Sequence, residues 1–479
     1  MRITLVTLNS SYIHTNLALR YIADALTKHG HTVTLREFTT KDRQSEVLHS
    51  LYADAAEVYG FSAYIWNVGQ LCNLASQLKL IRPSSRIVFG GPEVSYDTEA
   101  FLMGKPYIDH VICGEGESAF CELCGGRLSD RIINGSDRAG LYDFRDAGIL
   151  YDRYPPQNGQ FLYYESSRGC PYRCSYCMSA LSGDGVRQKD ADTTVRELLE
   201  LGNIASREGM PHIVKLIDRT FNCDRERAYY IWNKLVESGV NCRYHFEIRC
   251  ELLDDRAIEV LRRGSDIFLL EAGIQSANSD TLSEITRGGD PSRGLEMLGV
   301  LMSGKHPPVH ADLIAGLPHE DYASFARSFD IAYPLCDELQ LGFLKLLKGS
   351  VLRNNSTSYG IKHNPEPPYN ILSSDCLDYE DIRRLTVIAD LVDRYHNNGG
   401  FERTLGYLTS VVTPFALFEQ IADTIPDVRR LSQREAYTAL LECAENIDGV
   451  DRETLRTALC EDFTAREKGS VPFKLRNNK

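Results

Sequence analysis

The sequence predicts an α/β protein with a doubly wound parallel sheet, then a partial (β/α)6 barrel of the TIM type, then a mainly helical domain. Apolar strand segments alternate with helical segments over residues 1–150, and six more strand segments recur at helix-separated intervals over residues 151–350. Alternation of this kind is typical of parallel sheets with helical crossovers. Residues 351–479 begin with a proline-rich connection and continue with helical patterns. We therefore expect three domains: 1–150, 151–350 and 351–479.

The composition limits the class of protein and its surroundings. The chain has 479 residues and a formal net charge of −13, which argues against a general nucleic-acid binder. No apolar run approaches the length of a membrane span, so no membrane partner is expected. Fourteen cysteines in a chain of this size do not indicate a disulfide scaffold. They fit a reducing cytoplasm, which is the expected location.

Five strands are predicted in the first domain, and ligands of such sheets bind outside the carboxyl ends of the strands. The strands are Ile3–Leu8, Thr32–Phe38, Val58–Ser62, Arg86–Phe89 and His110–Cys113, with helices such as Leu17–Lys28 and Val68–Leu80 between them. The candidate binding residues at the strand ends are Asn9, Ser10, Tyr12, Ser62, Tyr64, Trp66, Asn67, Gly90, Gly91, Pro92, Glu93, Gly114, Glu115, Gly116 and Glu117. Ordinary tight turns are the alternative explanation for the glycines. A dinucleotide fingerprint is missing after the first strand.

Six strands are predicted in the second domain. They are Phe161–Ser166, His212–Ile217, Tyr244–Ile248, Ile267–Gly273, Val309–Ile314 and Glu338–Leu344. In β/α barrels the chemistry gathers at the carboxyl ends of the strands. Several of these ends carry charged or amide side chains where the local pattern calls for apolar residues, a conflict expected at functional sites. A salt-bridged barrel interior is the alternative explanation for part of them.

A loop with three cysteines follows the first barrel strand. Cys170, Cys174 and Cys177 are spaced C-x3-C-x2-C, and Tyr176 stands directly before the last cysteine. Three thiolates do not close a structural zinc site, which takes four ligands. They can hold three irons of a cubane cluster and leave the fourth iron open. Ferredoxin runs and zinc ribbons have other spacings, so the loop indicates a cluster that takes part in chemistry.

This loop, with its position after the first strand, resembles the cluster loop of the radical S-adenosylmethionine (SAM) superfamily. The resemblance implies that Cys170, Cys174 and Cys177 hold a 4Fe–4S cluster and that SAM chelates the open iron. It also implies a set of SAM-binding residues, mostly at strand ends. These are Tyr176, Asp218, Glu247, Arg249, Gly273, Gln275, Ser276, Ile314 and Gly316. The superfamily's glycine-glycine-glutamate motif after the second strand is absent in that form, so the group that meets the SAM amine stays open.

The first domain resembles the cobalamin-binding domain that precedes many radical SAM barrels, through its strand-end GGP and GEGE segments. The resemblance implies that the strand-end residues given above bind cobalamin. The D-x-H-x-x-G signature, whose histidine binds cobalt, is absent, so we expect no histidine on the lower cobalt face. The C-terminal region resembles an extension of unassigned function found on one subgroup of these proteins.

The resemblance implies a cobalamin-dependent radical SAM enzyme that cleaves SAM reductively to a 5′-deoxyadenosyl radical. Methyl transfer to an unactivated carbon of a small molecule or peptide is the expected outcome, with a low-potential donor such as ferredoxin or flavodoxin as partner. One alternative uses cobalamin for rearrangement, cyclisation or redox chemistry without methylation. Another is a non-catalytic cobalamin- or iron–sulfur-binding sensor, against which the polar strand ends argue, because a sensor needs no SAM pocket. No catalytic acid or base is assigned.

Overall fold

The first domain is a parallel six-stranded sheet in the order β2-β1-β3-β4-β5-β6. The structure is a computed structural model that describes residues 1–135, 142–181, 185–425 and 427–476. The strands are β1 (Arg2–Asn9), β2 (Thr32–Thr39), β3 (Val58–Ser62), β4 (Arg86–Gly90), β5 (His110–Cys113) and β6 (Ile132–Asn134). The sequence predicted five of them. The prediction of five was wrong because β6 is only three residues long and has one buried side chain, too little for a recognisable pattern.

Helices cover both faces of this sheet. They are α1 (Leu17–Lys28), α2 (Gln44–Asp54), α3 (Val68–Ile81), α4 (Thr98–Leu102) and α5 (Glu117–Cys124). Asn16 caps α1, since its side-chain oxygen accepts from the Leu19 backbone N–H at 2.9 Å. The strand order reverses between β1 and β3, which opens a crevice at their carboxyl ends where ligands of doubly wound sheets bind.

The second domain is a partial barrel of six parallel strands in the order β12-β11-β10-β9-β8-β7. The strands are β7 (Leu162–Tyr164), β8 (Ile213–Leu216), β9 (Arg243–Ile248), β10 (Phe268–Gln275), β11 (Val309–Ala315) and β12 (Glu338–Phe343). The longer helices of this domain are α6 (Ala191–Ala205), α7 (Arg225–Ser238), α8 (Asp255–Arg263), α9 (Ser279–Glu284), α10 (Pro291–Met302) and α11 (Tyr322–Ala332). The predicted six βα units are confirmed.

The C-terminal region combines a small β-hairpin with helices packed on the barrel. The hairpin pairs Lys362–His363 with Ile371–Ser373. The helices are α12 (Val351–Asn354), α13 (Tyr379–Val392), α14 (Glu402–Val411), α15 (Pro414–Thr424), α16 (Gln433–Ala444), α17 (Arg452–Arg466) and α18 (Phe473–Arg476). Phe415 and Phe418 of α15 meet Phe329 of α11 with ring centroids 5.5 and 5.9 Å apart, so one apolar core continues from the barrel into this region. Across the described ranges, no helix is both long enough and apolar enough to cross a membrane.

Candidate active site

The cluster loop is fixed at its start by a buried carboxylate. Asp218 follows β8, is 1% exposed, and accepts from the Ser166 backbone N–H at 2.9 Å and the Ser167 hydroxyl at 2.7 Å. Further along, the Ser175 backbone N–H donates to the Ile285 carbonyl at 2.9 Å. The oxygens of Asp218 are therefore occupied by the strand that leads into the loop, and the structure gives this residue a positioning role. Its predicted contact with SAM stays a prediction.

The three cysteines of the loop lie close enough together for their charges to interact. All three thiols are free. Burial raises the pKa of Cys174, and the nearby Cys177 and Cys170 thiols raise it further. In the described part of the chain, no three His, Cys, Asp or Glu side chains have the arrangement that holds a single metal ion. Thiolates of a cubane sit on different irons, and so need more space than ligands of one ion. Cluster binding by these residues stays a prediction.

Two arginines lie beside this loop, and one of them, Arg249, is ion-paired with Glu251. Arg249 lies at the end of β9, and its guanidinium carbon is 3.8 Å from the centroid of the Tyr172 ring. Arg287 donates to the Gly273 carbonyl, and both arginines oppose the rise in the pKa of Cys174. The Arg249 side chain is 4% exposed, and its Nη1 atom has no hydrogen-bond partner in the described chain. A buried, unpaired guanidinium nitrogen fits a carboxylate ligand such as that of SAM.

The remaining predicted SAM-binding residues fall into two groups. Gly273 and Ser276 line a cavity of about 430 Å³ together with Arg287 and Gly288. The others are engaged elsewhere or lie apart from this cavity. Tyr176 lies against Arg287, and Glu247 is ion-paired with Arg219. Gln275 is 9% exposed, and Gly316, two residues after Ile314, packs against Ile371. Ser276, which lines the cavity, also donates its hydroxyl to buried Glu320 at 2.6 Å. Sequence reasoning missed Arg287, since an arginine in a turn between two helices carries no pattern.

The inner wall of the barrel is polar. Side chains alternate along each strand, and the fully buried ones, such as Phe246, Ala272 and Ala311, pack on the apolar core. The alternate, partly exposed positions of neighbouring strands carry Lys215, His245, Glu247, Glu271, His310 and Asp312. His245 Nε2 is 3.3 Å from a Glu271 oxygen, and His310 Nε2 is 3.4 Å from an Asp312 oxygen. This wall offers both hydrogen-bond donors and carboxylates to a polar substrate.

Asp312 stands out within that wall. Burial, together with the neighbouring Glu271 and Glu247, raises its pKa to about 8. A carboxyl group with this pKa is largely protonated at neutral pH and can donate a hydrogen bond or release a proton. Sequence reasoning noted a polar strand end at this residue and assigned it no role.

A second cavity, of about 420 Å³, lies at the carboxyl end of the first sheet, against the barrel. Its apolar lining includes Leu5, Leu19, Val88, Ile112 and Phe120, and it also contains the predicted residues Ser62, Tyr64, Gly90, Gly91, Pro92, Gly114, Glu115, Gly116 and Glu117. Gly60 on β3 forms part of the floor, where a Cβ would lie 2.6 Å from the Phe120 ring. A deep apolar cavity with glycine walls at a strand-order reversal fits an extended organic cofactor such as cobalamin.

The other predicted cobalamin-binding residues lie outside this cavity. Asn67 is buried and bonds the Leu8 and Ser62 carbonyls at 3.1 and 3.2 Å. The rest lie at the surface or bond within the chain. Tyr12 donates to the Asn158 carbonyl, and Asn9 donates to the His14 carbonyl. Ser10 is exposed, and Trp66 stacks on Tyr64 with ring centroids 4.5 Å apart. Buried Glu93 accepts from Tyr369 and Lys348. Their roles toward cobalamin stay predictions.

The two sites share a wall. Glu165, Arg168, Met178 and Ile217 of the barrel line the cavity of the first sheet, and Arg168 stands two residues before Cys170. Arg168 Nη1 is 3.0 Å from oxygens of both Glu115 and Glu117, and its Nη2 is 2.9 Å from Glu165. The glutamates of the GEGE segment thus bind the cluster loop directly. The geometry brings a three-cysteine loop and a glycine-walled apolar cavity to one interface.

The structure joins a doubly wound sheet to a partial barrel that carries the three-cysteine loop, and sequence families identify both domains. The B12 binding domain family matches residues 3–124, the radical SAM superfamily residues 164–332, and a protein family of unknown function, DUF4080, residues 357–478. The chain belongs to the cobalamin-binding radical SAM enzymes. Its cofactors are a 4Fe–4S cluster, SAM and cobalamin.

Curated relatives and solved structures resemble the chain over much of its length. An uncharacterized methyltransferase of Pyrococcus horikoshii is 23% identical over 66% of this chain and 74% of its own length. The cobalamin-dependent radical SAM methyltransferase TokK of Streptomyces tokunonensis is 25% identical over 56% of this chain, which spans only 44% of TokK. The cobalamin-dependent SAM radical enzyme OxsB, solved with aqua-cobalamin and SAM bound, has a TM-score of 0.67 at 12% identity, covering 96% of this chain and 78% of its own.

Proposed function

We propose that the protein is a cobalamin-dependent radical SAM methyltransferase that methylates an unactivated carbon of a small molecule or peptide. The observation that carries the proposal is the shared wall, where Arg168 joins the cluster loop to the cobalamin-type cavity. A methyl donor and a radical generator at one interface can act on one substrate carbon. The names of TokK and of the Pyrococcus relative support methyl transfer.

When bound, the cofactors supply a hydrogen-abstracting radical and a methyl group. The chain's own residues hold and orient these groups. Arg249 would pair its free Nη1 with the SAM carboxylate, and Asp218 would keep the cluster loop in place through Ser166 and Ser167. The polar barrel wall, with Glu271, His310 and Asp312, would hold the substrate by hydrogen bonds beside the cluster loop. We propose a ferredoxin or flavodoxin as the electron donor.

A second candidate is a cyclisation without methyl transfer. An anaerobic magnesium-protoporphyrin IX monomethyl ester cyclase of Synechocystis is 25% identical over 60% of this chain and 61% of its own length. Product mass separates the candidates, because methyl transfer adds one methyl group to the substrate and cyclisation adds none.

The test is SAM consumption by protein reconstituted anaerobically with iron, sulfide and cobalamin under a low-potential reductant. We expect 5′-deoxyadenosine and, with candidate substrates, S-adenosylhomocysteine in matching amounts. Cys170→Ala should abolish 5′-deoxyadenosine and lose the cluster absorbance. Cys376→Ala, the same change at a partly buried cysteine outside the barrel, should retain both. An intact cluster that yields no 5′-deoxyadenosine would refute the radical step. 5′-Deoxyadenosine and a modified product without S-adenosylhomocysteine would refute methyl transfer and favour the second candidate.

A further inference from the structure

The C-terminal hairpin contacts loops of both cofactor sites through neighbouring residues. Ile371 is 2% exposed and packs on Gly316, where a Cβ would lie 2.7 Å from the Ile371 Cδ1 atom. Tyr369, two residues earlier and also 2% exposed, donates its hydroxyl to the Glu93 carboxylate. Gly316 belongs to the fifth barrel strand end, predicted to meet SAM, and Glu93 follows the Gly90-Gly91-Pro92 loop of the cobalamin-type cavity.

The hairpin is itself held firmly by the barrel. The Leu346 backbone N–H donates to the Tyr369 carbonyl at 3.0 Å, and the Ile371 backbone N–H donates to the Leu344 carbonyl at 2.9 Å. The Arg353 guanidinium carbon lies 4.5 Å from the centroid of the Tyr369 ring. Because backbone bonds and a cation–π contact fix Tyr369, its hydroxyl is a rigid anchor for Glu93.

Glu93 depends on this anchor. Its side chain is 2% exposed, and Lys348 Nζ lies 2.8 Å from the oxygen that also accepts from Tyr369. A buried carboxylate that loses its partners carries a large desolvation cost, so the loop that bears it must move to reach water. Next to it, Tyr96 lines the cobalamin-type cavity and packs against Gly349, the residue after Lys348.

We propose that the C-terminal region braces the cobalamin site: Tyr369 and Lys348 are positioning residues that act through Glu93 to hold the loop 90–96 in its binding conformation. The role rests on the cobalamin cofactor and holds whichever reaction the site performs. It gives a function to a region whose family is described only as of unknown function.

The experiment is cobalamin titration of the full-length chain, followed by the visible spectrum, beside hydrogen exchange of the peptide covering residues 88–97. Tyr369→Phe should weaken cobalamin binding about tenfold and speed exchange in this peptide at least about threefold without ligand, and Lys348→Met should act in the same direction. Tyr322→Phe is the matched control, because Tyr322 also donates to a glutamate, Glu419, across the contact between barrel and C-terminal region at 2.9 Å. It should leave both measurements within twofold of wild type.

Exchange and affinity distinguish the brace from a general loss of stability. The role would be overturned if Tyr369→Phe and Tyr322→Phe had equal effects. It would also be overturned if exchange and affinity were unchanged in both Tyr369→Phe and Lys348→Met. Because hydrogen exchange is measured without cobalamin, it tests the positioning role of Tyr369 and Lys348 even if SAM cleavage and methyl transfer fail. A wild-type chain that binds no cobalamin would overturn the positioning role directly.

Discussion

Arg168 joins the first two domains by ion pairs to carboxylates of both. Its side chain is 18% exposed and contacts three carboxylates, while its guanidinium carbon lies 4.6 Å from the centroid of the Phe144 ring. The carboxylates of Glu117 and Glu165 are each 10% exposed, so water compensates them poorly. This network holds the cluster loop against the first sheet. Arg168 offsets the desolvation cost of Glu117 and Glu165, while Glu115 is also paired with Arg187.

Replacing this arginine should destabilise the chain strongly. Arg168→Met keeps much of the side-chain length but leaves Glu117 and Glu165 without their cation, whereas Glu115 keeps Arg187. We expect a loss of about 3–5 kcal/mol in the free energy of unfolding. Urea unfolding followed by circular dichroism measures it. Arg173→Met on the same loop is the control, because Arg173 is exposed, and it should cost less than about 0.5 kcal/mol. Equal losses in the two variants would contradict the interdomain role of Arg168.

Asp312 makes stability depend on pH in a defined direction. Its pKa is raised from the ordinary 3.8 to about 8, so the fold disfavours the ionised form. The native state then binds more protons than the unfolded chain between these values, and stability falls as the pH rises through this range. Asp312→Asn removes the ionisation. The free energy of unfolding of this variant, relative to wild type, should therefore be roughly 2–4 kcal/mol higher at pH 9 than at pH 5. Urea midpoints at the two pH values measure it, and a difference independent of pH would contradict this origin.

At the scale of elements, buried strands and long amphipathic helices were predictable and short elements were not. All six barrel strands and α7 follow from apolar runs and helical spacing, since the core selects those patterns directly. The three-residue β6 and the two-residue strand Lys362–His363 depend on tertiary contacts, which no local pattern records. Helix α14 has no clear local pattern for a related reason, because a glycine lies within it and a glycine pair directly precedes Phe401.

Contacts between residues far apart in sequence were also unpredictable at the candidate site. The cysteine spacing identified the cluster loop because its ligands are close in sequence. The contact of Arg168 with Glu115 spans 53 residues and that of Tyr369 with Glu93 spans 276, so only the folded chain brings them together. Strand-end position predicted that Glu115 and Glu93 lie near the cofactor crevice, but not that protein cations or hydroxyls engage them.

The loop after β4 depends on a glycine that no other residue can replace. Gly91 has φ +107°, and a Cβ there would lie 2.5 Å from the Ala63 carbonyl oxygen. Gly91→Ala should therefore displace the loop at the cobalamin-type cavity and weaken cobalamin binding more than about tenfold. Gly30→Ala is the control, because Gly30 also has a positive φ, +80°, but nothing lies within 4 Å of its added Cβ. Equal cobalamin affinity in the two variants, measured by visible-spectrum titration, would contradict the steric argument.

At the scale of the whole molecule, the first two domains supply the walls of the predicted cofactor sites, and the C-terminal region packs against loops of both. The first sheet supplies the apolar cavity, the barrel supplies the cluster loop and polar wall, and the C-terminal hairpin presses on loops of both. In this arrangement we expect cobalamin to contact protein surfaces that exist without the cluster, and SAM to bind partly through the open iron. Ligand-induced stabilisation should therefore separate the two cofactors.

Cobalamin should stabilise the chain whether or not the iron–sulfur cluster is present. SAM should stabilise it chiefly when the cluster is present. At a free concentration of 100 times its Kd, a ligand adds about 2.7 kcal/mol to the folded state, which raises the midpoint of thermal unfolding. Anaerobic scanning fluorimetry of reconstituted wild type and of Cys170→Ala measures both shifts under one condition, with Cys376→Ala as the matched variant that keeps the loop intact. We expect a cobalamin shift in all three proteins and a SAM shift much smaller in Cys170→Ala than in the other two. An equal SAM shift in the cluster-free variant would mean that Arg249 and its neighbours hold SAM without the iron, and would remove the open iron from the binding argument.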